Sequence, residues 1–575
     1  MKVTIAKTAG FCMGVRRAVE MAFDAANTSS APICTYGPLI HNPQVLASLE
    51  ERGICAIDEI PCSGAGIVII RAHGIPPGER NALKDVGFQV IDATCPRVIR
   101  VQSIISRHAR RGFASIIVGD REHPEVTGLL GYAGENGYVA DSLDALERLP
   151  VFENAIIVAQ TTQNTEFFER VHHWARERHP HYLVFNTICD STEKRQAEVK
   201  ALAAAVDAVI VVGGYNSGNT RRLAEIAAGS GKSAFHVETA DEIDVGKLAA
   251  VRHVGITAGA STPNWIIKQV YQDLESRLMQ RNSLLRRCGF AWMRNLMMSN
   301  LYLALGAACL AFAGTWLQGL SVKPEYMLIA ALYILSMHTV NNMLERHSDR
   351  YNDPLRANFY QKNRVFLWLL AAIAGTGALV TALGLGLLFL VLLTCMSVLG
   401  ILYNLDMVTR NGGRIRPRLK DIPGSKTILT AMAWGIVTAL FQPLHALDYI
   451  PAAGVLVFVW ASALVFVRTA YFDIADMQGS RIMGRETIPI LLGEKRTLQL
   501  LKGILIAMIL VLPSAAMAGI IPSAGILMAI CPAAMFLFFH RYEQGMLFSA
   551  MRQGFLMETH FILAGLLALL GMQLF

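Results

Sequence analysis

The chain has 575 residues, a formal net charge of +8 and ten cysteines. This length excludes a single ordinary domain and predicts several folded units. The cysteines do not follow the pattern of a disulfide scaffold, because several lie within long apolar runs.

The composition divides the chain near residue 285. Up to that point charged, apolar and glycine-rich segments alternate as in a soluble α/β protein, and beyond it long apolar runs dominate. The start, MKVTIAKTAGFC, contains no long apolar segment, so we expect no signal peptide and a cytoplasmic N-terminal half. We predict an N-terminal domain over residues 1–280, a basic linker over 281–296 and a membrane domain over 297–575.

Short apolar runs in the N-terminal half are each followed by a polar or glycine-rich turn and then by a helical pattern. Examples are GIVIIRAHGIPPGERNALKDVG, ASIIVGDREHPEVTGLL, NAIIVAQTTQNTEFFERV, DAVIVVGGYNSGNTRRLAEIA and HVGITAGASTPNWIIKQVYQDL. This alternation predicts α/β units with largely parallel sheets, whose ligands bind beyond the carboxyl ends of the strands. A single polar turn residue is more often a helix cap, but five such turns favour a phosphate or carboxylate site.

Three cysteines share one local setting at the turn from a strand to a helix. They are Cys12 in AGFCMGVRRAVE, Cys95 in DATCPRV and Cys189 in NTICDSTEKRQAEV. Zinc more often takes close CxxC pairs and four protein ligands, whereas three separated thiols suit an iron–sulfur cluster with one iron that lacks a protein ligand. Spacing alone leaves a packing role open for each thiol. The other cysteines of this half lack the setting and are interpreted as packing or surface residues: Cys34, Cys55 and Cys62.

A series of short motifs runs through the whole N-terminal half. AGFCMGV, IHNP, AHG, DATCP, HPEV, QTT, the RQ pair after the third cysteine, NSGNTRRL and TAGAST follow one another up to about residue 280. In this order they resemble the LytB/IspH family, the 4-hydroxy-3-methylbut-2-enyl diphosphate reductases. The resemblance implies an α/β trefoil of three modules around a central [4Fe–4S] cluster, with Cys12, Cys95 and Cys189 as its ligands. It also implies conversion of an allylic alcohol diphosphate into isopentenyl and dimethylallyl diphosphates in the non-mevalonate isoprenoid route.

The same resemblance implies roles for residues around the cluster. Glu125 is the expected proton source and Thr161 supports the proton path, as catalytic residues. Gly218 stands where the family usually has serine, so no side chain is expected there. The reaction consumes two electrons, which implies an external donor such as a ferredoxin or flavodoxin. The expected substrate-binding residues are His41, His73, His123, Ser217, Asn219 and Ser261.

The C-terminal half contains apolar runs such as LYLALGAACLAFAGTWL, GILIAMILVLPSAAMAGII and FILAGLLALLGMQLF. Their lengths predict an all-α, multi-pass domain of about nine helices in the cell membrane. The basic segments RNSLLRRCGFAWMRN and TRNGGRIRPRLKDIPGSK flank these runs. Their position favours a membrane-topology signal over a nucleic-acid-binding patch, and it predicts that the N-terminal half lies in the cytoplasm.

Two polar clusters continue directly from apolar runs of this half. VNNMLERHSDRYNDPLR carries Asn341, Glu345, Asp349 and Asp353 at four-residue intervals. The second cluster, YFDIADMQGSRIMGRETIPILLG, carries the following polar residues: Asp473, Asp476, Arg481, Arg485 and Thr487. Such spacing predicts carboxylates on one helix face, where they can hold Mg²⁺ against a diphosphate.

These clusters resemble the two Asp-rich motifs of the UbiA family of intramembrane prenyltransferases. YNLDMVTRNGGRIRPRLKDIPGSK resembles the tyrosine-containing basic loop of that family, in which Arg418 and Lys420 would bind phosphate. The resemblance implies Mg²⁺ and transfer of a prenyl group from its diphosphate to an acceptor. Glu345 replaces a usual Asp, and Ser480 replaces the last acid of the second motif.

Three hypotheses follow for the whole chain. The first is a reductase fused to an active prenyltransferase, and the second is a reductase whose membrane half is an inactive anchor or assembly module. Asp473, Asp476, Arg418 and Lys420 favour the first, while Ser480 favours the second. The third, a transporter fused to a soluble regulator, requires ionisable residues or broken helices near the middle of the membrane, whereas these charges cluster at one face.

Overall fold

The structure is a computed structural model of the chain. It describes residues 2–244, 246–248, 251–279, 284–344, 352–404, 422, 424–482, 487–544 and 550–574. The chain forms two compact units, Met1–Leu278 and Met279–Phe575.

The N-terminal unit contains three separate four-stranded sheets. Their strand orders are β1-β12-β10-β11, β3-β2-β4-β5 and β7-β6-β8-β9, and every pair is parallel. The strands are β1 Lys2–Ile5, β2 Ile33–Tyr36, β3 Ile54–Ile57, β4 Ile67–Ile70, β5 Gln89–Asp92, β6 Ala114–Val118, β7 Gly137–Ala140, β8 Ala155–Ala159, β9 Leu183–Phe185, β10 Ala208–Val212, β11 Ser233–Val237 and β12 His253–Ala258. The prediction of α/β units with parallel sheets is thereby confirmed.

Helices connect the strands of each sheet, as parallel pairing requires. They are α1 Met13–Thr28, α2 Pro43–Glu50, α3 Pro77–Asp85, α4 Pro96–Ala109, α5 Pro124–Ala133, α6 Leu143–Glu147, α7 Thr165–Arg178, α8 Asp190–Ala205, α9 Gly218–Gly229 and α10 Asn264–Met279. The strands β4, β6, β8 and β10 are buried along their whole length. Their continuous Ile, Val and Ala runs therefore suit sheets that are covered on both faces.

The first sheet contains the first and the last strand of the N-terminal unit. β1 opens the chain and pairs with β12, in the register Lys2↔His253, while the other two sheets use consecutive segments between them. Residues from both ends of this unit therefore meet in one module.

The C-terminal unit is helical in the part of the chain that the structure describes. Its helices are α11 Leu284–Met298, α12 Leu301–Leu317, α13 Pro324–Leu344, α14 Pro354–Lys362, α15 Arg364–Leu385, α16 Leu387–Asn404, α17 Ser425–Gly435, α18 Phe441–Leu447, α19 Ala452–Ala475, α20 Met477–Ile482, α21 Ile488–Leu492, α22 Glu494–Met517, α23 Ile530–Glu543 and α24 Ala550–Leu574. A π-helical turn, Ile436–Leu440, joins α17 to α18. Close helix packing requires small residues here, since a Cβ at Gly314 would lie 2.6 Å from the Thr438 carbonyl oxygen.

Seven helical segments are long and apolar enough to cross a membrane. An eighth span results if the bent pair Cys288–Met298 and Leu301–Leu317, which meet at 69°, counts as one. Asn300 lies at that bend with a φ of 61°, in the left-handed region that Asn tolerates better than most residues. The predicted multi-pass character is confirmed, whereas the number of nine spans stays a prediction. The seven segments are Pro324–Leu344, Arg364–Leu385, Ser425–Leu447, Ala452–Ala475, Glu494–Met517, Ser523–Glu543 and Met551–Gln573.

Candidate functional site

The three predicted cysteines occupy equivalent positions in the N-terminal unit. Cys12, Cys95 and Cys189 are the N-cap residues of α1, α4 and α8. All three line one cavity, together with every other residue that the sequence assigned to the reductase site. The structure thus brings together segments that are about 80 to 180 residues apart in the chain.

The thiols are close enough to influence one another. Burial raises the pKa of Cys95 and of Cys189, and the neighbouring Cys12 thiol raises both further. A Cβ at Gly14 would collide with the Cys95 sulfur, so only glycine leaves room beside it. Three sulfurs that converge on one space fit the donor set of a metal centre held by three thiolates.

The other cysteines of this unit do not line the cavity. Cys34 and Cys55 lie on the paired strands β2 and β3, and Cys62 is exposed in the segment that follows. The Cys34 thiol is half-buried and donates to the Ile67 carbonyl oxygen at 3.7 Å. These positions agree with their interpretation as packing and surface residues.

Three imidazoles form a compact group on the cavity wall. The ring centroids of His41, His73 and His123 lie 4.7, 5.3 and 5.8 Å apart. Burial lowers the pKa of all three, to about 4 for His123, so the rings are neutral at neutral pH. The His41 Nε2 and His73 Nδ1 atoms are buried without a hydrogen-bond partner in the described residues. Such orphaned atoms indicate a polar ligand in this space.

The tautomer of one imidazole decides what the group can bind. The ring nitrogens lie within 4.8 Å of one another, a spacing that a cation could bridge. However, the Glu125 backbone N–H donates to His123 Nδ1 at 3.1 Å. The neutral ring must then carry its proton on Nε2, which makes that atom a donor. The group is therefore suited to an anion.

A buried carboxyl lies beside the histidines. Glu125 is 2% exposed, and its two oxygens accept hydrogen bonds from the Thr161 backbone N–H at 2.7 Å and from the Thr161 hydroxyl at 2.8 Å. Burial raises the pKa of Glu125 to about 7, although the two hydrogen bonds act against that rise. At neutral pH this carboxyl is poised to hold or give a proton.

The neutral hydroxyl and amide groups gather at the start of α9. Ser217 caps this helix, and its oxygen lies 3.3 Å from the hydroxyl of Ser261, which donates to the His41 carbonyl oxygen at 3.1 Å. Both polar atoms of the buried Asn219 side chain lack a partner in the described residues. The helix N-terminus and these donors create an anion-binding wall.

Gly218 lies on this wall as well. A Cβ at Gly218 would lie 3.5 Å from His123 Nε2, at ordinary contact distance. The position would therefore accept a Cβ without a clash, and here the glycine backbone lines the cavity beside His123.

One buried charge near the site has no functional assignment from the sequence. Arg195 belongs to the RQ pair after the third cysteine, and that motif by itself indicates no role for it. Its side chain is 3% exposed and donates to the carbonyl oxygens of Gly10 at 2.6 Å and of Ala258 at 3.2 Å. The RQ motif was the only available signal, because local sequence does not reveal contacts across 185 residues.

In the C-terminal unit the predicted polar residues that the structure describes lie near helix ends. Asp473 is in the last turn of α19, where it accepts a hydrogen bond from the Thr427 hydroxyl at 2.6 Å, and Asp476 caps the same helix. Asn341 lines an apolar cavity of about 410 Å³ with His338, Tyr403, Lys426 and other residues.

The expectation of one continuous acidic helix face is wrong for Asp353. Asp353 itself is not helical: it caps α14 by accepting from the Arg356 backbone N–H at 3.2 Å, whereas the described residues of α13 run to Leu344. Pro354 explains this, because proline is favoured in the first turn of a helix and disfavours helical geometry in the residue before it. The remaining predictions for this site lie outside the described residues: Glu345, Asp349, Arg418, Lys420 and Arg485.

The N-terminal cavity defines a class of protein. Three convergent thiols, a buried carboxyl that can carry a proton and neutral anion-binding donors are the parts of a redox enzyme with an anionic substrate. The LytB protein family model matches residues 3–275, and the UbiA prenyltransferase family model matches residues 300–557.

Known proteins are similar to each part of the chain. The 4-hydroxy-3-methylbut-2-enyl diphosphate reductase of Nitratidesulfovibrio vulgaris is 48% identical over 280 residues, which are 48% of this chain and 100% of that protein. A solved structure of (E)-4-hydroxy-3-methyl-but-2-enyl diphosphate reductase is 43% identical, with 48% of this chain and 99% of that chain covered and a TM-score of 0.38. The apo structure of a UbiA homolog from Aeropyrum pernix K1 is 16% identical, with 47% and 98% covered and a TM-score of 0.37.

The chain belongs to the LytB family, and a UbiA prenyltransferase family domain is fused to its reductase domain. LytB enzymes are iron–sulfur proteins, and UbiA prenyltransferases use Mg²⁺.

Proposed function

We propose that the N-terminal unit reduces 4-hydroxy-3-methylbut-2-enyl diphosphate to isopentenyl and dimethylallyl diphosphates, as a reductase of the non-mevalonate pathway. The observation that carries this proposal is the single cavity in which three thiols, the Glu125–Thr161 pair and the neutral anion-binding donors meet. The reaction breaks the allylic C–O bond, forms a C–H bond and releases the oxygen as water. It consumes two electrons and two protons per turnover.

A [4Fe–4S] cluster held by Cys12, Cys95 and Cys189 would supply the electrons and a Lewis-acidic iron for the substrate hydroxyl. The three cysteines, from three different segments, would hold the cluster and would leave one iron without a protein ligand. Gly14 keeps the space beside the Cys95 sulfur clear.

Glu125 would deliver the proton that lets the hydroxyl oxygen leave as water. Its pKa of about 7 keeps a protonated fraction at neutral pH, which an exposed glutamate would not retain. Thr161 fixes the carboxyl with two hydrogen bonds, so the proton is presented in one orientation.

The diphosphate would be bound by neutral donors. His123 Nε2–H, the hydroxyls of Ser217 and Ser261 and the Asn219 amide can together satisfy several phosphate oxygens, and His41 and His73 add ring nitrogens. The N-terminus of α9 adds a favourable field for the negative charge.

The test is anaerobic purification of the full chain in detergent, followed by iron and sulfide quantification and a reduction assay with 4-hydroxy-3-methylbut-2-enyl diphosphate and dithionite. We expect about four irons and four sulfides per chain, as a [4Fe–4S] cluster contains, together with both isomeric products. Protein that retains its fold but binds no iron under these conditions would overturn the assignment.

The C-terminal unit would transfer a prenyl group from its diphosphate to an acceptor, with Mg²⁺ bound by the two acidic clusters. The proposed metal and diphosphate residues are Asn341, Glu345, Asp349, Asp473, Asp476, Arg418 and Lys420. The fixed carboxylate of Asp473 at the end of an apolar span supports this proposal. The family match does not favour an inactive anchor.

Asp473→Asn is expected to lower Mg²⁺-dependent diphosphate release by more than about 100-fold, because a direct ligand contributes more than the 10- to 100-fold typical of outer partners. The readout is diphosphate release by the full chain with prenyl diphosphates and a panel of acceptors. Asp448→Asn is the matched control, because Asn accepts the left-handed φ of 59° at that exposed position. Wild-type protein without any acceptor-dependent release would assign this unit to anchoring instead.

The N-terminal unit is proposed to lie on the cytoplasmic side of the membrane. Cys55 and Cys62 are exposed and lie outside the cavity, so they can report this placement. A membrane-impermeant maleimide should label them in inverted vesicles and in permeabilised cells, but not in intact spheroplasts. A Cys55→Ser, Cys62→Ser double variant identifies the signal, and labelling in intact spheroplasts would place the unit outside.

A further inference from the structure

Three arginines link the segments that carry the three thiols. The first is Arg17 on α1, five residues after Cys12. Its guanidinium donates to the carbonyl oxygens of Thr94 at 3.1 Å and of Asp92 at 3.5 Å. Thr94 immediately precedes Cys95, so Arg17 ties the helix of the first thiol to the loop of the second.

The second arginine continues the series. Arg97 lies on α4, two residues after Cys95, and its guanidinium forms an ion pair with the carboxylate of Asp190. Asp190 is the residue after Cys189 and begins α8. This pair therefore links the helix of the second thiol to that of the third.

The third arginine links the segment of the third thiol to that of the first. Arg195 lies on α8, six residues after Cys189, and donates to the carbonyl oxygen of Gly10 in the loop before the first thiol. It also donates to the Ala258 carbonyl oxygen at 3.2 Å and to the Ser191 hydroxyl at 3.4 Å. Each arginine thus follows one cysteine and contacts the segment of the next.

Arg195 differs from an ordinary arginine because its positive charge is buried. Its side chain is 3% exposed, and in the described part of the chain no carboxylate lies within 4.0 Å of it. A buried cation that meets only carbonyl and hydroxyl oxygens is costly unless an opposite charge is near. Cys12, Glu198 and Cys189 are the neighbours that would stabilise its charge when they are ionised, and Glu198 is already engaged by the Thr8 hydroxyl and backbone.

We propose that Arg195 is a positioning residue for the cysteine-bound cluster. It holds the Cys12 loop against the Cys189 helix, and its buried charge balances the negative charge of the thiolate-ligated iron–sulfur group. The contacts of Arg17 and Arg97 link the other two pairs of segments. Together the three arginines set the spacing of the three sulfurs before the cluster is inserted. This inference rests on the proposed reductase function, because it requires a cluster in the cavity.

The two roles of Arg195, geometry and charge, can be separated by substitution. Arg195→Gln keeps hydrogen-bond donors but removes the charge, Arg195→Lys keeps the charge but loses the fork of donors, and Arg195→Met removes both. Arg277→Met is the control, because Arg277 is a partly buried arginine of the same unit that pairs with Asp273 away from the cavity.

The full chain would be purified anaerobically as wild type and variants, and three properties would be measured besides activity. These are iron and sulfide content, the rate of iron loss to a chelator, and the reduction potential of the cluster. For Arg195→Met we expect about 10- to 100-fold faster iron loss, as for outer partners of other metal ligands. We expect a more negative reduction potential for Arg195→Met and Arg195→Gln, since a lost positive charge disfavours the reduced state, and a nearly normal potential for Arg195→Lys.

The possible outcomes distinguish the two proposals. Wild-type protein without iron would overturn the reductase function itself. Wild-type protein with a cluster, and Arg195 variants with the same iron retention and the same potential, would overturn only the role of Arg195. If Arg195→Met does not fold, as judged by thermal unfolding, the Gln and Lys variants decide, and equal potentials in these two would contradict the charge role.

Discussion

Replacement of Cys12, Cys95 or Cys189 by serine should abolish both cluster content and reductase activity. Each thiol comes from a different segment of the chain and lines the same cavity, so no neighbouring cysteine can substitute for a lost ligand. A serine hydroxyl is a far poorer ligand for iron than a thiolate at neutral pH. Iron and sulfide analysis, the visible absorption of the cluster and turnover with dithionite would measure the loss.

Cys34→Ser is the matched control for this series. Cys34 is a half-buried cysteine of the same unit, but it lies on β2 and bonds only to the Ile67 carbonyl oxygen. Serine can make the same hydrogen bond, so iron content and activity should remain close to those of the wild type. An equal loss in all four variants would mean that the substitutions act through folding and would remove the ligand assignment.

Glu125→Gln should keep the cluster but lower turnover by about 10²- to 10⁴-fold, the range that a general acid contributes. Gln has nearly the same shape: its amide oxygen can accept from the Thr161 backbone N–H and its NH2 group can donate to the Thr161 hydroxyl oxygen, so the cavity should stay intact. It cannot donate a proton to the leaving oxygen. The readout is the rate of product formation beside iron content, with Glu122→Gln, an exposed neighbour, as the control.

The pH dependence supplies an independent check on the same carboxyl. Because burial raises the pKa of Glu125 to about 7, kcat/KM should fall as the pH rises through that value and the acid becomes ionised. The raised pKa also means that the folded protein binds this proton more tightly than the unfolded chain does. Its contribution to stability is therefore present at low pH and is lost as the pH rises from the ordinary value of 4.5 through about 7. Thermal unfolding of Glu125→Gln should lack this component, and normal turnover in that variant would exclude Glu125 as the acid.

The fusion joins two activities that both handle allylic or prenyl diphosphates. We expect the reductase unit to make five-carbon diphosphates and the C-terminal unit to consume a prenyl diphosphate built from them. The two units would then act in one metabolic direction.

The helices and strands of this chain can be predicted from local sequence. Continuous Ile and Val runs such as those of β4 and β8 are long enough for buried strands and too short for typical helices, so the α/β alternation follows from apolar burial and turn chemistry alone. The long apolar runs after residue 285 likewise predict helices, because backbone N–H and C=O groups in a bilayer must be hydrogen-bonded within the helix itself. Helix starts can be predicted as well, since Pro96 and Pro124 lie in first helical turns, where proline is favoured.

Contacts between residues that are far apart in the chain cannot be predicted from local sequence. The contact of Arg195 with Gly10, the tautomer of His123 and the burial that shifts the Glu125 pKa depend on the packing of separate modules, which has no local signature in the chain. The placement of Asp353 as a helix cap is instead a local effect, because Pro354 disfavours helical geometry in the residue before it. Local sequence sets the conformation of a segment through short-range sterics and burial pattern. Charge, protonation and ligand geometry are set by neighbours that the chain brings in from elsewhere.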